Sequence, residues 1–521
     1  GATASLANPG AIGITATTGG TGTVTVDAGD ITTTGTGATG IFATTADGLA
    51  SVTADSISTS GDNANGITVS STTGPVNLTV GDVSTTGDFS NAISATGGID
   101  ANVAANINGV VTTTGAADAV VITSSDMATV TVGSAGSVSA SNGDSFVLTS
   151  VTGTTLNNAG TIAAAPNGFA VLANGGPITI NSSGTLSSDI QLTAGNDRVN
   201  NSGTFVVGSN PDFGAGTDVF ANSGTVQVGA GANAVVNSTF TGLETFNNNG
   251  GLIDLRNGRA GDTLTLPGTF NGSGNSQLGL DVVLDGSAND RLIIGGAASG
   301  QTEVLVGALP GQAVFNPGAV LIQAGAASNA NAFDFAGGFI ENGLVRNEIV
   351  YNPADFSFRL TGAPSDAAFG TLGFADGARN LWLRSADAVS AQLRAQRDAL
   401  WSNDGGEASP RMWVQLHASK ESRETSRNVN TFGQTRTLNS GLVQDFGGVQ
   451  LGLDIGGGAG ERGGFAFGVT GGYMASELNL RGADEVSFDT ANAGVYGSFS
   501  SGNLFANVIG KYDHYWADVD M

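Results

Sequence analysis

The sequence contains no cysteine, and its positive charge is scarce and unevenly placed. The absence of cysteine excludes a disulfide framework and cysteine-ligated metal sites. Lys and Arg number 18 against 44 Asp and Glu, the net charge is −26, and the first basic residue is Arg198. Because a protein that binds nucleic acid needs clustered Lys and Arg to neutralise phosphates, we expect no nucleic-acid partner.

Histidine and the large aromatic residues are also rare. The only two histidines are His417 and His514, so the long segment before them cannot hold a Ser-His-Asp triad or a His-ligated zinc site. Residues 1–197 contain no Trp or Tyr on which a sugar ring could stack. We therefore predict that the chain is not an enzyme and has no cofactor. A secreted β-helix enzyme that acts on polysaccharide through paired carboxylates stays as the alternative.

Long apolar runs are missing as well. No stretch of 18 apolar residues occurs, so the sequence predicts no transmembrane helix. Strands of an outer-membrane barrel alternate rather than run apolar, so such a barrel stays possible. The sequence begins at Gly1 without a basic and apolar leader, and we expect either a removed signal peptide or a fragment.

An internal repeat occupies the first part of the chain. The segments "GITATTGGTGTVTVDAGDITTT" from Gly13, "GIFATTADGLASVTADSISTS" from Gly40 and "GITVSSTTGPVNLTVGDVSTT" from Gly66 align with one another. Equivalent apolar positions recur every 26 or 27 residues, at Ile14, Ile41, Ile67, Ile93, Val120 and Phe146. A second column follows at Ile31, Ile57, Val83 and Val111. A period in this range is typical of a solenoid.

Each repeat contains short alternating runs such as "GTVTVDAG" and "VNLTV", punctuated by Gly, Asn and Asp. Such runs predict half-buried strands separated by turns. From about residue 156 the repeat changes to Asn-x-Gly-Thr units, with Thr161, Thr185, Thr204 and Thr225 at equivalent positions. The prediction is an all-β fold in which residues 1–239 form a parallel β-helix with repeats of about 26 residues.

Two segments of this repeat are weakly similar to calcium-binding nonapeptides. They are "TAGNDRV" (193–199) and "FGAGTDVF" (213–220), and their glycine spacing is incomplete. We keep Asp197 and Asp218 as weak candidates for calcium ligands and expect no other metal site.

Residues 240–365 carry larger apolar groups in longer alternating strands, which we expect to be separated by hairpin turns. The order "GLIDL", "DTLTLPGTFNG", "LDVVL", "ANDRLIIGG" and "TEVLV" resembles the C-terminal part of a pertactin-like passenger of the type Va autotransporters. In that family the corresponding region is a cap with an autochaperone role, which folds first and templates the coils before it.

A helix is predicted next. In "ARNLWLRSADAVSAQLRAQRDALW" (378–401) one apolar stripe runs through Trp382, Ala386, Val389, Leu393 and Leu400. These positions have helical spacing, and the arginines occupy the remaining surface. We assign residues 376–402 to a linker helix.

Residues 411–521 then alternate an apolar face with a Gly-rich polar face. In "RMWVQLHAS" (411–419), for example, Met412, Val414 and Leu416 alternate with Trp413 and Gln415. The pattern is typical of antiparallel outer-membrane barrel strands, although a soluble sandwich would also alternate. We count about five strands, so the sequence predicts the first part of an incomplete, truncated barrel.

The order of these regions is similar to the autotransporter (type V secretion) architecture over almost the entire chain. The resemblance implies a right-handed β-helix passenger that the C-terminal barrel exports across the outer membrane. It implies a protein in the outer membrane, with its passenger at the cell surface or released. Outer-membrane lipid and the barrel-assembly machinery are the implied partners, together with an unknown host, matrix or self ligand. The function expected is that of an adhesin, an autoaggregation module or a surface-structural module.

The same resemblance implies that the helix crosses the barrel lumen. A polar lumen accepts arginine, whereas a lipid-facing position does not. We therefore expect Arg384, Arg394 and Arg397 to contact luminal acidic or amide groups such as Asp454 and Gln450.

Overall fold

Two compact units make up the computed structural model of the chain. The first comprises residues 1–340 and 348–361, and the second comprises 341–347 and 362–521. The residues that the structure describes are 4–6, 10–402, 407–424, 426–431, 434–439, 441–458, 463–480 and 485–519. Among them, no helix is both long enough and apolar enough to cross a membrane.

Short strands dominate the chain as far as residue 364. In chain order they are β1 (Ala4–Leu6), β2 (Ile14–Thr18), β3 (Val24–Thr33), β4 (Ile41–Thr45), β5 (Ala50–Thr59), β6 (Ile67–Ser71), β7 (Val76–Thr85), β8 (Ile93–Gly97), β9 (Val103–Ile107), β10 (Val110–Thr113), β11 (Val120–Ser124), β12 (Met127–Val132), β13 (Ser137–Ala140), β14 (Phe146–Ser150), β15 (Gly153–Asn158), β16 (Thr161–Ala164), β17 (Phe169–Gly175), β18 (Ile178–Ser182), β19 (Thr185–Ser187), β20 (Asp189–Gln191), β21 (Arg198–Asn201), β22 (Thr204–Val206), β23 (Val219–Asn222), β24 (Thr225–Gln227), β25 (Asn237–Thr239), β26 (Thr245–Asn249), β27 (Leu252–Asp254), β28 (Thr263–Leu266), β29 (Thr269–Ser273), β30 (Gln277–Val283), β31 (Arg291–Ile294), β32 (Ala298–Gly300), β33 (Thr302–Leu309), β34 (Val320–Ala324), β35 (Phe333–Phe335), β36 (Ile340–Asn342), β37 (Val345–Asn352) and β38 (Ser357–Pro364).

Strands at equivalent positions of successive coils pair in parallel, which builds a β-solenoid. One face is the sheet β2-β4-β6-β8-β11-β14-β17-β20. Two further stacks run through the larger parallel sheet, and the ten-residue strands β3, β5 and β7 contribute to both. Both predicted columns are confirmed by the register, since Ile14 pairs with Ile41 and Ile31 pairs with Ile57.

The inward side chains of one stack change from aliphatic to aromatic along the solenoid. The column begins with Val26 and Val52, and near its other end it contains Phe220, Phe246 and Phe270 in succession. The rings of Phe220 and Phe246 lie parallel, with centroids 5.0 Å apart and an interplanar angle of 8°. All five side chains are buried. Identical neighbours fill the core because the register places like side chains one above another at the strand spacing of about 4.8 Å.

Parallel stacking continues beyond residue 239, so the expectation of hairpin turns throughout 240–365 is wrong. β26 pairs in parallel with β29, and β30 pairs in parallel with β33 over seven residues. The longer alternating runs in this region are therefore strands of further coils. The apolar period-two pattern is the same for a hairpin and for a parallel coil, so it could not separate them.

The stack of coils ends in an antiparallel pairing. β34 pairs with β38 in antiparallel fashion, and the ring of Phe358 on β38 meets Phe333 edge-on at 5.0 Å. The returning strand satisfies one edge of the last coils and covers their aromatic core. Covered edges remove a template for aggregation.

The second unit contains one long helix and long antiparallel strands. They are α1 (Asp366–Ser402), β39 (Ser409–Arg423), β40 (Ser426–Thr431), β41 (Gln434–Asn439), β42 (Leu442–Gly458), β43 (Gly463–Leu480), β44 (Glu485–Ser501) and β45 (Leu504–Val519). The strands form a sheet in the order β39-β42-β43-β44-β45, while β40 and β41 make a separate hairpin.

The helix α1 begins ten residues before the predicted segment. Its start is fixed by the hydroxyl of Ser365, which accepts a hydrogen bond from the Ala368 amide at 3.1 Å, and Asp366 lies in the first turn. Glycines in this first part disfavour a helix in isolation. Gly377 packs closely against β43, and a Cβ there would lie 2.6 Å from a methyl carbon of Leu478, which would have to shift.

The aromatic column yields a stability prediction. Phe246→Ala is expected to lower the free energy of unfolding of the solenoid by about 3–5 kcal/mol, since it opens a cavity between two stacked rings. Urea denaturation followed by circular dichroism measures the change. Phe89→Ala is the control, because Phe89 is 71 % exposed, and a loss below about 1 kcal/mol is expected there. Equal losses in both variants would contradict the importance of the column.

Candidate functional site: the helix-bearing face of the C-terminal sheet

The five-stranded sheet β39-β42-β43-β44-β45 has two faces of opposite character. On one face the apolar side chains are exposed, and Met412 and Val508 have exposed fractions of 85 % and 71 %. The other face carries buried polar groups, among them Gln444, Gln450 and Asp454. The predicted alternation is confirmed. A soluble sandwich would bury its apolar face, so the distribution is the reverse of that in a soluble domain.

The helix α1 packs against the polar face through a narrow apolar stripe. Leu381, Val389 and Leu393 are fully buried, at helical spacing. Leu381 belongs to a cluster with Phe446 and Met474, and the other two pack with Tyr496. The apolar contacts hold one side of the helix, and its polar residues meet the polar positions of the strands.

One polar network joins the helix to three strands. The Nε2 of Gln392 on α1 donates to the Oδ2 of Asp454 at 3.1 Å, and the hydroxyl of Tyr496 donates to the same oxygen at 2.9 Å. The indole N–H of Trp413 in turn donates to the Tyr496 oxygen at 2.7 Å. A carboxylate with two donors is stabilised in a buried position, since its lone pairs are satisfied.

A buried ion pair forms the second connection. The Nζ of Lys511 lies 2.8 Å from the Oδ2 of Asp513, and their side chains are only 3 % and 2 % exposed. The ammonium also donates to the carbonyl of Trp382 on α1 at 3.1 Å and to the hydroxyl of Ser385. Lys511 and Asp513 lie two residues apart on β45, so they share one face of the strand. A period-two pattern gives no information on what covers that face, and sequence reasoning therefore missed the helix partner of this pair.

The three predicted lumen arginines have different surroundings. Arg384 lies 3.6 Å from the carboxylate of Glu421 on β39, with its guanidinium over the ring of Phe446. Arg397 contacts the neighbouring Asp398 at 3.1 Å and lies over the ring of Phe505 on β45. Arg394 is exposed and donates to the carbonyl of Ser390 in its own helix.

The expected acceptors for these arginines have other partners. Asp454 accepts from Gln392 and Tyr496, while the Nε2 of Gln450 donates to Thr470 and Asn492 at 2.8 and 2.7 Å. Arg384 instead meets Glu421, an acidic group on the polar face of the first strand of the sheet. The assignment of the three arginines as lumen contacts stays a prediction.

In the solenoid, Asp197 and Asp218 both bind backbone amides. Asp197 accepts from the amides of Ile178 and Thr193, each at 2.7 Å. The Oδ1 of Asp218 accepts from the amide of Asp197 at 2.6 Å, and the amide of Asp218 donates to Glu244 at 2.6 Å. The three carboxylates thus link successive coils, each accepting from the coil before it. Their role as calcium ligands stays a prediction.

Asp197 and Asp218 are costly to ionise. Burial, together with the neighbouring carboxylates of Asp197 and Glu244, raises the pKa of Asp218 to about 6, against the hydrogen bond from the Asp197 amide. The Oδ2 of Asp218 has no hydrogen-bond partner among the described residues. Burial also raises the pKa of Asp197, against hydrogen bonds from Ile178 and Thr193. Within the described ranges no group of three or more His, Asp or Glu side chains is arranged to hold a metal ion.

Comparison with known proteins identifies the C-terminal region. Residues 412–521 match the family described as "Autotransporter beta-domain". A segment of 80 residues is 36 % identical to "Probable autotransporter YfaL" of Escherichia coli (strain K12). The match covers 15 % of this chain and 6 % of that protein, so only a small part of the relative's length is spanned.

The chain therefore has a β-solenoid followed by a C-terminal region that is similar to an autotransporter β-domain. Similarity to this family indicates a β-domain in the outer membrane and a solenoid outside the cell.

The raised pKa of Asp218 predicts a pH dependence of stability. An aspartate in the unfolded chain has a pKa of about 3.9, so from about pH 4 to pH 6 the folded state retains a proton that the unfolded state has lost. The free energy of unfolding of the solenoid should therefore fall as the pH rises through this window. It should be higher at pH 5 than at pH 7.5, by roughly 1–2 kcal/mol from this group.

Asp218→Asn should abolish that contribution, because the amide oxygen still accepts the Asp197 N–H and the charge is gone. Urea denaturation at pH 5 and pH 7.5 measures the difference. Asp55→Asn is the matched control, since it removes the same charge from an exposed side chain. An unchanged pH dependence in the Asp218 variant, or an equal change in the control, would contradict the prediction.

Proposed function

We propose that this protein exports its own passenger and that the passenger is an adhesion or self-association module without enzymatic activity. Residues 1–239 are the β-helix passenger and 240–365 its cap with an autochaperone role. Residues 376–402 are the linker helix within the barrel lumen, and 411–521 are barrel strands. Outer-membrane lipid and the barrel-assembly machinery are the partners of the barrel, and a host, matrix or self ligand is the partner of the passenger.

The C-terminal sheet supports the export part of the proposal. Its exposed apolar face suits lipid, and its polar face, covered by α1, suits a lumen through which a chain passes. The buried Lys511–Asp513 pair and the Asp454 network hold the helix without a continuous apolar interface. Polar ties of this kind are favourable in a lumen, because water remains available to the unpaired groups.

The observation that carries the passenger's role is the shortness of the connections between the strands of its coils. The longest connection between successive strands of the described solenoid, from β2 to β33, is residues 207–218, twelve residues in all. A catalytic β-helix is expected to break its repeat with a long loop that carries clustered acids and aromatic residues. A regular surface suits repeated weak contacts instead, whose strength comes from multivalency.

Several acidic residues of the passenger bind an amide of the next coil, which supports the same conclusion. The Oδ1 of Asp62 accepts the amide of Asp88 at 3.0 Å, and Asp118 accepts the amide of Asp144 at 2.9 Å. Asp144 accepts the amide of Phe169 at 2.7 Å. Carboxylates that bind the next coil are not free to act as a general acid and base pair.

The arginines of the helix provide a test of the lumen assignment. Replacing Arg384, Arg394 and Arg397 together with Glu should reduce the amount of assembled β-domain and of displayed passenger severalfold, since Glu at 384 would face Glu421. Resistance of the folded β-domain to unfolding in detergent and antibody labelling of intact cells measure the two quantities. The triple Lys variant is the control and should assemble nearly normally. Normal assembly and display of the Glu variant would remove the lumen assignment.

The adhesive role is tested by displaying the full-length protein on cells that do not otherwise aggregate. Cells with the passenger should settle and attach to surfaces faster than cells without it, and protease treatment of intact cells should abolish the difference. Release of reducing ends from a panel of polysaccharides is measured in parallel, and no increase is expected. Hydrolysis without aggregation or attachment would favour the enzyme instead.

A further inference from the structure

A groove of about 570 Å³ runs along the outer surface of the solenoid, across coils that include strands β15, β18, β21 and β23. It follows the turns at the ends of these strands, where the equivalent positions are Asn158, Ser182, Asn201 and Asn222. Its lining consists of Asn, Ser, Thr, Ala, Val and Gly side chains, without a charged group. In a protein with a net charge of −26, a neutral groove of this length is distinctive.

One wall of the groove is a column of amides. Asn157, Asn181 and Asn200 occupy paired positions on successive strands and are half-buried. The Nδ2 of Asn181 donates to Asn157 at 2.9 Å, and the Nδ2 of Asn200 donates to Asn181 at 2.8 Å. An amide has two N–H donors and two acceptor lone pairs, and each contact within the column uses one of each. The central amide therefore keeps one donor and one acceptor for a ligand.

The amide column is interrupted at one coil of the groove. Ala221 occupies the next position after Asn200, and Asn247 resumes the column on the following coil. A methyl group replaces an amide there and lines the groove. The missing side-chain volume leaves space that a ligand can fill.

A second set of lining groups, which forms the hydroxyl wall, is a column of exposed hydroxyls in the turns. Ser183, Ser202 and Ser223 follow one another on successive coils. Their hydroxyls donate to main-chain carbonyls at 3.4, 3.3 and 3.4 Å, which is the long end of the hydrogen-bond range. Such weakly held hydroxyls can reorient to bind a ligand at little cost.

We propose that this groove, defined by its amide and hydroxyl walls, binds an uncharged linear polysaccharide that lies along the solenoid axis. The inference rests on the proposed adhesive function and names its ligand class. Sugar hydroxyls both donate and accept hydrogen bonds, and so do the amides and hydroxyls of the two walls. The groups of each wall recur once per coil, at a spacing of about 4.8 Å, so a polymer with a regular repeat can make the same contact on successive coils.

Other polymers fit less well. A peptide strand along the axis repeats its backbone groups at about 3.3 Å per residue, out of step with the coils. A nucleic acid or another polyanion would meet no cation in the groove. The lining contains no aromatic side chain on which a sugar ring could stack, so each sugar unit adds little binding free energy. The affinity should therefore depend on the number of coils that the polymer contacts.

The test uses cells that display the full-length protein. Binding of fluorescently labelled dextran, amylose and cellohexaose is compared with that of alginate and polygalacturonate, which are charged. At least one neutral glycan should bind, and the charged ones should not. A Ser183→Lys, Ser202→Lys double variant should weaken neutral binding at least tenfold, because two long side chains enter the groove.

The matched control is Ser60→Lys, Ser141→Lys, which adds the same charge at exposed turns outside the groove. It should bind as the unmodified protein does. Asn181→Ala, which removes one amide without adding bulk, should weaken binding by a smaller factor. Protease protection of the displayed passenger verifies the fold of each variant.

Aggregation of the same cells is scored in the absence of glycan, so that the two proposals can fail separately. Aggregation or attachment without neutral-glycan binding would overturn the groove assignment and leave the adhesive function standing. The groove assignment would also be overturned if the Ser183→Lys, Ser202→Lys variant lost aggregation in the absence of glycan while the control variant kept it. That result would mean that the groove binds a second copy of the passenger. Preference for the charged glycans, or equal binding by the groove variant and its control, would overturn it as well.

Discussion

The parallel register between successive coils is the constraint on which the solenoid depends. Each coil pairs with the next residue by residue, so a side chain in one coil has its counterpart directly above it in the next. The backbone hydrogen bonds hold the coils at a fixed spacing, and the inward columns fill the core. Because each coil contacts only its neighbours, the outer surface repeats with the same period as the core.

The same register solves the problem of burying polar groups. Asn201 and Asn222 lie inside the turns, where the Nδ2 of Asn201 donates to Asn222 at 2.8 Å and also to a main-chain carbonyl at 3.0 Å. Aspartates at other turns accept the amide of an adjacent coil. A buried amide or carboxylate costs free energy unless its partners are in place, and stacking supplies many of them from the neighbouring coil. Two oxygens, Asn201 Oδ1 and Asp218 Oδ2, are left without a partner among the described residues. The acidic side chains of the passenger thus serve in part to join its coils.

The second unit applies the opposite distribution of polarity. The solenoid turns its apolar side chains inward, whereas the C-terminal sheet exposes Met412, Leu416 and Val508 and buries Gln444 and Asp454 beneath a helix. Water surrounds the first and lipid the outer face of the second. Each unit therefore places apolar groups where they avoid water, in an internal core in the solenoid and on the outer face in the C-terminal sheet.

Much of the architecture is determined by the sequence itself. The 26-residue period, the inward columns from Ile14 and Ile31, the helix around Leu393 and the alternating C-terminal strands follow from spacing alone, because local periodicity reflects which face is buried. Spacing was insufficient in 240–335, where hairpins and parallel coils share one pattern. It was insufficient again at the start of α1, because glycines disfavour a helix in isolation and the contact of these glycines with β43 is visible only in the tertiary structure.

The partners of the polar residues were decided only by the tertiary structure. Gln392, and not an arginine, binds Asp454, and Lys511 reaches the helix at Trp382 and Ser385. The groove, likewise, exists only once Asn157, Asn181 and Asn200 are stacked. A sequence fixes which face of a strand a side chain occupies. Which group it meets depends on contacts between residues far apart in the chain, and those are set only when the coils stack and the helix docks.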